Sequence, residues 1–141
     1  MKNEDAFDRY RRALSTLTAD TLDTLDALVS PDVRFKDPLH EVTGVNNMKR
    51  VFASLFKAAD NIVFVVDDHA CSSRTAYFRW TLTAQLSGKP WSVTGVTELV
   101  FDERGLVTDH SEFWDAASQL YERFPVIGGV LRFLRRRLAA H

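Results

Sequence analysis

Apolar and polar positions alternate through much of the second half of the chain. Residues 75–86 and 91–101 each follow the two-residue period of a pleated strand. A Ser-Gly-Lys-Pro sequence at 87–90 predicts a hairpin turn between them. The Asp-Glu-Arg-Gly sequence at 102–105 predicts a second turn, because its glycine can take a positive φ where the chain reverses. The strand that returns from it, residues 106–114, completes three strands of a meander.

Other segments space their apolar residues by three and four, as an amphipathic helix does. Asp20 is a plausible N-cap for the second of these helices, which ends at Ser30-Pro31. A short strand, 33–37, precedes Pro38 and a loop at 39–45, and a β-rich run at 61–70 opens the meander. Helices are predicted at residues 4–17, after Asp20, and at 46–59, 116–123 and 126–138, with Phe124-Pro125 separating the last two. The order predicts an α+β fold, with helices against one face of a curved antiparallel sheet.

The strand at 106–114 has an unusual distribution of side chains. One face carries Val107, Asp109, Ser111 and Phe113, and the other carries Thr108, His110, Glu112 and Trp114. An aromatic ring, an imidazole and a carboxylate on one face are typical of the wall of a partly polar pocket. The residues themselves do not identify a ligand.

Composition narrows the class of protein. A length of 141 residues with 45% hydrophobic content predicts one domain, 1–141, with a single core. The net charge of -1 gives no bias toward nucleic acid, and the lone Cys71 with a polar N-terminus favours a cytoplasmic protein. The four histidines lack ligand spacing and Gly128-Gly129 lacks the residues of a phosphate loop, so we expect neither a metal nor a cofactor.

Three local motifs resemble a known superfamily. They are the Pro-Asp-Val-Arg-Phe-Lys-Asp-Pro segment at 31–38, Gly44 leading into a helix, and the 101–105 turn followed by Phe-Trp-Asp at 113–115. Together they resemble the nuclear transport factor 2-like superfamily, which includes SnoaL-like polyketide cyclases, ketosteroid isomerases and limonene-epoxide hydrolases. The resemblance implies a cystatin-like cone, in which the sheet wraps around the N-terminal helices and leaves an internal cavity.

The resemblance assigns a role to Asp37. It is similar in position to the ketosteroid isomerase aspartate that moves a proton between carbons, and an apolar cavity would favour such chemistry. The alternative is that Asp37 only caps the turn before Pro38. The second isomerase aspartate falls on Thr97, and the isomerase tyrosine has no match, because Tyr10 is out of register and Ala13 lies closer. True ketosteroid isomerase activity is therefore not expected.

The other relatives direct attention to the strand at 106–114. Glu112 falls where the epoxide hydrolases carry an aspartate, but Gly95 and Thr97 replace the other two members of that site, so this activity is not expected either. SnoaL-like cyclases use an acid/base residue near the end of this strand, which indicates His110. The alternatives are a half-buried structural histidine and, for Glu112, a salt bridge to Arg79.

These candidates combine into one functional prediction. A cofactor-independent acid/base enzyme would act on a small hydrophobic, carbonyl-containing molecule, with Asp37 as proton acceptor and His110 as its partner. Thr97 or Tyr77 would steady an oxyanion. The remaining predicted pocket residues are Phe35, Trp80, Glu112 and Trp114, although aromatic residues at alternate strand positions are more often core. The alternative is a non-catalytic ligand-binding or assembly module of the same fold.

Two surfaces predict partners. The face bearing Val96, Glu98 and Val100 is predicted to be the outer side of the sheet, which commonly pairs subunits in this superfamily, so a homodimer is expected. Residues 124–141 form a basic amphipathic helix, with apolar residues opposite Arg132 and Arg135–Arg137. We expect it to dock on its own domain or on a second subunit, and contact with a membrane surface is the alternative.

Overall fold

The computed structural model describes residues 2–121 and 125–139. Within these residues, every helix is too short or too polar to cross a bilayer. The predicted α+β class is confirmed, whereas the part of the predicted 116–123 helix beyond residue 121 and the interruption at Phe124 lie outside the described residues. The elements are α1 (Lys2–Ser15), a 3-10 helix (Ala19–Ala27), β1 (Val29–Lys36), β2 (Glu41–Thr43), α2 (Val45–Ala58), β3 (Ala59–Ser72), β4 (Thr75–Leu86), β5 (Lys89–Phe101), β6 (Val107–Phe113), α3 (Ala116–Gln119) and α4 (Pro125–Leu138).

One curved sheet of six strands organises the described residues, in the order β2-β1-β6-β5-β4-β3. Strands β3 to β6 form the predicted antiparallel meander. Strand β1 is longer than predicted and runs parallel to β6, which places it inside the sheet. The segment predicted as a loop at 39–45 contains β2, in which Val42 pairs with Phe35 of β1.

The core lies between the inner face of the sheet and helices α1 and α2. On β4, the side chains of Phe78 and Trp80 alternate inward with exposed neighbours, as the sequence pattern predicts. Phe78 packs against Phe7 of α1 with ring centroids 5.6 Å apart, and Tyr10 of α1 and Met48 of α2 are buried in the same core. Burial of these large apolar side chains supplies most of the driving force for folding.

Both predicted turns are present. Ser87 and Gly88 have φ angles of 52° and 76°, the combination that a two-residue type I′ hairpin requires, so β5 begins at Lys89. Gly105 has a φ of 81°, and the Asp102 side chain accepts hydrogen bonds from the backbone N–H groups of Arg104 and Leu106. This carboxylate fixes the reversal into β6.

The second helix differs from the prediction in type and boundaries. Its N-cap is Thr18 rather than Asp20, and the Thr18 backbone N–H donates to the Thr21 hydroxyl at 2.8 Å. The helix is of the 3-10 type and ends at Ala27, so Val29 and Ser30, which the pattern placed in the helix, lie in β1. Tertiary pairing of β1 with β6 competes here with the weak helical preference of a nine-residue segment.

A β-bulge changes the faces of β6. Val100 pairs with Asp109 and Phe101 pairs with Val107, which leaves Thr108 as the extra residue. Val107 is therefore buried in the core, and its predicted place on the outer face beside Asp109 is wrong. Beyond the bulge the prediction is confirmed, because His110 is buried while Phe113 is exposed.

Gly95 of β5 pairs directly with Trp80 of β4. Because Gly95 has no side chain, the Trp80 indole can lie across β5 at this point. A Cβ at this position would lie 2.6 Å from the Trp80 ring and 2.8 Å from the carbonyl oxygen of Phe113. The missing side chain is thus a packing requirement of the Trp80 indole.

Candidate functional site

The inner face of the sheet and α2 enclose a cavity of about 250 Å³. Most of its lining is apolar, which suits a small hydrophobic ligand. Four polar residues, Asp37, His40, Ser54 and Glu112, also contribute to the wall. The aromatic part of the lining includes Phe35, Phe52, Trp80, Trp91 and Trp114.

A smaller space of about 80 Å³ lies on the side of α1. Leu14 and Phe64 line it, and it shares Trp80 and Glu112 with the main cavity. Glu112 thus borders both spaces, which makes it the most central charged group of the site.

Glu112 projects from β6, opposite Thr97 of β5. Its side chain retains 18% exposure, and its Oε1 atom lies 2.9 Å from Nε2 of His110. The predicted sharing of one face by His110, Glu112 and Trp114 is therefore confirmed for the two residues that touch. The alternative pairing with Arg79 is wrong, because Arg79 is exposed on β4 between the inward-facing Phe78 and Trp80.

His110 lies behind Glu112 and does not line the cavity. Only 1% of it is exposed, and its ring packs against Phe35 and Phe52 with centroid distances of 5.0 and 6.2 Å. Its Nδ1 atom lies 2.8 Å from the hydroxyl of Tyr10. Both ring nitrogens therefore have partners within the protein.

The three residues form a chain with a defined direction. A carboxylate only accepts, so Nε2 of His110 carries the hydrogen and donates it to Glu112. Nδ1 then has a lone pair and accepts from the Tyr10 hydroxyl. Burial, with the nearby charge of Glu112, holds the pKa of Tyr10 well above its ordinary value of 10.0. Tyr10 consequently keeps its hydroxyl hydrogen and can donate it to Nδ1 when His110 carries its own hydrogen on Nε2.

Asp37 borders the cavity and also caps its own turn. It lines the cavity, and its Oδ1 atom also accepts from the backbone N–H groups of Leu39 and His40, each at 2.7 Å. These bonds cap the turn that contains Pro38. They occupy Oδ1, while Oδ2 lies 3.1 Å from Nδ1 of His40.

His40 is a site residue that the sequence analysis overlooked. Its Nδ1 atom lies 3.0 Å from Asp37 Oδ1, and its partly exposed side chain lines the same cavity. The Asp37 carboxylate orients the imidazole through Nδ1, and the other ring nitrogen, Nε2, takes no part in this contact. The only sequence signal was the spacing of three residues across a turn, which lets the two side chains meet.

Three of the predicted aromatic pocket residues, Phe35, Trp80 and Trp114, do line the cavity. Thr97 lies deeper, because its buried hydroxyl accepts the Trp80 indole N–H at 2.8 Å. This bond fixes the orientation of the Trp80 ring rather than facing a ligand. Thr97 therefore supports the wall from behind.

Tyr77 is placed elsewhere. It is 41% exposed on the outer face of β4, opposite Glu98 of β5, and a hydrogen bond from its hydroxyl to Glu98 raises the pKa of the phenol. Strand alternation places Tyr77 outward because Phe78 and Trp80 point inward. The predictions that Tyr77 lines the pocket and steadies an oxyanion are wrong.

The segment after β6 closes one side of the cavity. The Gln119 side chain continues the β5 ladder, since it accepts from the Thr94 N–H at 2.7 Å and donates to the Thr94 carbonyl at 3.3 Å. The Gln119 carbonyl also accepts the Trp91 indole N–H at 2.7 Å. These bonds hold the neighbouring Leu120 in the lining.

Among residues 2–121 and 125–139, no group of three or more His, Cys, Asp or Glu side chains is arranged to hold a metal ion. The site residues do form pairs, Asp37 with His40 and Glu112 with His110. Each pair couples a carboxylate to an imidazole, so the carboxylate can orient the ring.

The SnoaL-like domain model matches residues 10–110, which include the Tyr10–His110 pair at its two ends. No curated protein matches the chain in sequence.

Solved structures share the fold at low identity. A candidate SnoaL-like polyketide cyclase from Jannaschia sp. CCS1 is 18% identical over 83% of this chain and 88% of its own, with a TM-score of 0.73. A nuclear transport factor 2-like protein of unknown function from Burkholderia pseudomallei K96243 is 15% identical over 84% and 94%, with a TM-score of 0.73. AclR, a candidate hydroxylase from Streptomyces galilaeus, is 20% identical over 90% and 96%, with a TM-score of 0.69. These similarities establish the fold.

Proposed function

The chain belongs to the SnoaL-like domain family, and from that premise we propose that it is a cofactor-independent acid–base enzyme of the isomerase or cyclase type. Its substrate is a small hydrophobic molecule that carries a carbonyl group. The observation that supports this most strongly is the carboxylate of Glu112, which lines an apolar cavity and is held from behind by His110.

Glu112 acts as the proton acceptor. Its Oε1 atom is held by His110, while Oε2 makes no hydrogen bond within the described part of the chain. In the reaction, Oε2 takes a proton from the carbon next to the substrate carbonyl, and the C–H electron pair moves into an enolate. In an isomerase the proton then returns to a different carbon. In a cyclase the enolate carbon attacks a second carbonyl of the substrate, and the proton goes to the alkoxide oxygen that this forms.

His110 and Tyr10 are positioning residues in this proposal. The Nε2–H group of His110 fixes one oxygen of Glu112 and stabilises its charge, and the Tyr10 hydroxyl holds the other ring nitrogen. The acid/base role expected for His110 thus passes to the carboxylate that touches the cavity.

Asp37 and His40 supply the second half of the chemistry. Asp37 is tied to its own turn, so we assign it the task of orienting His40 rather than accepting the proton. As an imidazolium, with its Nδ1–H directed at Asp37, His40 can donate from Nε2 to the carbonyl oxygen, where negative charge develops as the enolate forms. Ser54 lines the same cavity, but its hydroxyl already donates to the Arg50 carbonyl at 2.9 Å.

A non-catalytic binding module is the second candidate. It is favoured by the fact that both imidazoles already have partners within the protein, as structural histidines do. In a binding module the apolar cavity alone would select the ligand. The two carboxylate–imidazole pairs would only fix the orientation of the bound ligand.

The first experiment is native mass spectrometry of protein purified from its own host. A bound apolar carbonyl compound would identify the ligand to use in the second experiment. That ligand is incubated with the protein in deuterated water, and deuterium uptake next to the carbonyl is followed by NMR. We expect uptake with the wild-type protein and a loss of at least about 100-fold with Glu112→Gln.

The control variant is Glu98→Gln, which changes a carboxylate on β5 that lies outside the cavity lining. It should exchange deuterium at the wild-type rate. If Glu112→Gln exchanges deuterium at the wild-type rate, Glu112 is not the proton acceptor. A ligand that binds the wild-type protein without any exchange would instead establish the binding module.

A further inference from the structure

Helix α4 lies beyond the part of the chain that the family shares. The family match ends at residue 110, whereas α4 covers Pro125–Leu138. Its sequence contains four arginines and no acidic residue. Because the whole chain has a net charge of -1, the rest of the protein carries a formal charge of -5 against +4 on this helix.

One face of α4 is apolar and open to solvent. Val130 is 55% exposed, Phe133 52%, Leu134 46% and Leu138 82%. Their spacing of three, four and eight residues places them on one side of the helix. Four large apolar side chains in one exposed row are far more than the scattered single residues of an ordinary surface.

Arg135 and Arg136 border the apolar row on its two sides, and Arg132 lies opposite it. Arg135 also interacts with the Asp115 carboxylate. Arg137 lies nearer the apolar row, and its guanidinium sits 5.9 Å from the ring centroid of Phe133. The aliphatic part of the Arg137 side chain can pack along the Phe133 ring while its guanidinium contacts a lipid phosphate.

We propose that α4 docks this protein on an anionic phospholipid membrane. The row Val130, Phe133, Leu134 and Leu138 enters the boundary between headgroups and acyl chains, and the arginines bind lipid phosphates. The net negative remainder of the chain is repelled by the same surface, so the helix is the part that faces the bilayer.

Charge favours the membrane over a second copy of the helix. Pairing two α4 helices through their apolar rows would bring two sets of arginines together, and α4 contains no acidic residue to separate them. An anionic surface supplies negative charge at Arg136 and Arg137, whereas Arg132 and Arg135 already interact within the chain. This proposal does not depend on the activity of the cavity.

Sedimentation of the full-length protein with vesicles tests it. One set contains phosphatidylcholine alone, and the other contains phosphatidylcholine mixed with phosphatidylglycerol. We expect at least tenfold tighter binding to the mixed vesicles, with a decrease at high salt. Each arginine near the surface contributes about fivefold, so Arg136→Gln/Arg137→Gln should weaken binding by roughly 25-fold. Phe133→Ser/Leu134→Ser should remove it.

The matched control is Arg50→Gln/Arg79→Gln, which makes the same charge change at exposed positions of α2 and β4. It should bind the mixed vesicles like the wild type. Equal binding to both vesicle types, or an unchanged affinity in Arg136→Gln/Arg137→Gln, would overturn the proposal. The proposal would also be overturned if the wild-type protein binds neither type of vesicle. If analytical ultracentrifugation then shows a dimer for the wild type but not for Phe133→Ser/Leu134→Ser, the apolar row contacts a second copy of the chain.

Discussion

Tyr10 and His110 are 100 positions apart in the chain and share a buried hydrogen bond of 2.8 Å. The bond joins α1 to β6 through the interior of the domain, beneath the wall of the cavity. The other nitrogen of the same imidazole lies 2.9 Å from Glu112. Helix α1 is therefore connected to the carboxylate at the cavity through one buried side chain.

Removing the Tyr10 hydroxyl should destabilise the fold. Tyr10→Phe keeps the ring but leaves one nitrogen of the buried His110 without a partner. An unsatisfied buried polar atom costs about 1–3 kcal/mol, so the free energy of unfolding in urea should fall by that amount. Tyr77→Phe is the control, because its hydroxyl lies on the outer face and its loss should cost less than about 0.5 kcal/mol. Equal losses in the two variants would contradict the importance of the buried bond.

Stability should decline in alkali because of the same residue. Below about pH 10 Tyr10 is protonated in both the folded and the unfolded protein, so its contribution is constant. Above pH 10 the unfolded tyrosine ionises while the raised pKa keeps the folded one neutral, which favours unfolding. The slope from this residue approaches about 1.4 kcal/mol per pH unit. Urea unfolding from pH 9 to 11 should show a shallower decline in Tyr10→Phe, and parallel curves would contradict this.

Gly95→Ala should disturb Trp80. The new methyl group would lie 2.6 Å from the indole and 2.8 Å from a backbone oxygen, so the ring must move. Overpacking of this kind costs about 1–3 kcal/mol, and the displaced indole should lose its bond to Thr97 and change its fluorescence spectrum. Gly129→Ala is the matched control, since nothing lies within 4 Å of that position and alanine favours the helix. It should leave stability unchanged or slightly increased.

Gln119→Ala should loosen the cavity wall formed by the segment after β6. The substitution removes both side-chain bonds to Thr94, while the Trp91 bond to the backbone carbonyl at 119 is retained. Hydrogen exchange of the Thr94 amide should accelerate, because its acceptor is lost. Gln85→Ala is the control. It removes an exposed side-chain amide that hydrogen-bonds to Asn61, and it should leave the Thr94 backbone amide protected from exchange. Unchanged Thr94 exchange in Gln119→Ala would mean that the segment is held by other contacts.

Most of the fold could be predicted from local patterns. The alternation on β4 and β5 and the glycine turn at 105 are repeated in the structure because each depends on neighbours within a few residues. Failures occurred where long-range pairing overrode a local preference. Val29 joined β1 rather than a helix, and a bulge at Thr108 turned Val107 into the core.

The candidate site was partly predictable for the same reason. The face shared by His110, Glu112 and Trp114 follows from the period of one strand, and Asp37 was identified by its place before a proline. His40 was overlooked because its meaning depends on the bond to Asp37 across a turn. Tyr77 was wrongly placed in the pocket. The alternation along its strand shows which side chains share a face, but it does not show which of the two faces lines the cavity.

The sequence by itself determined the class of fold, the family and the strand on which the acid–base groups lie, because periodicity and short motifs are properties of neighbouring residues. Only the tertiary structure decided which of those groups touches the cavity. That choice depends on the packing of α1 against β6, where Tyr10 meets His110 and His110 holds Glu112. A contact between residues 100 positions apart leaves no local trace in a single sequence.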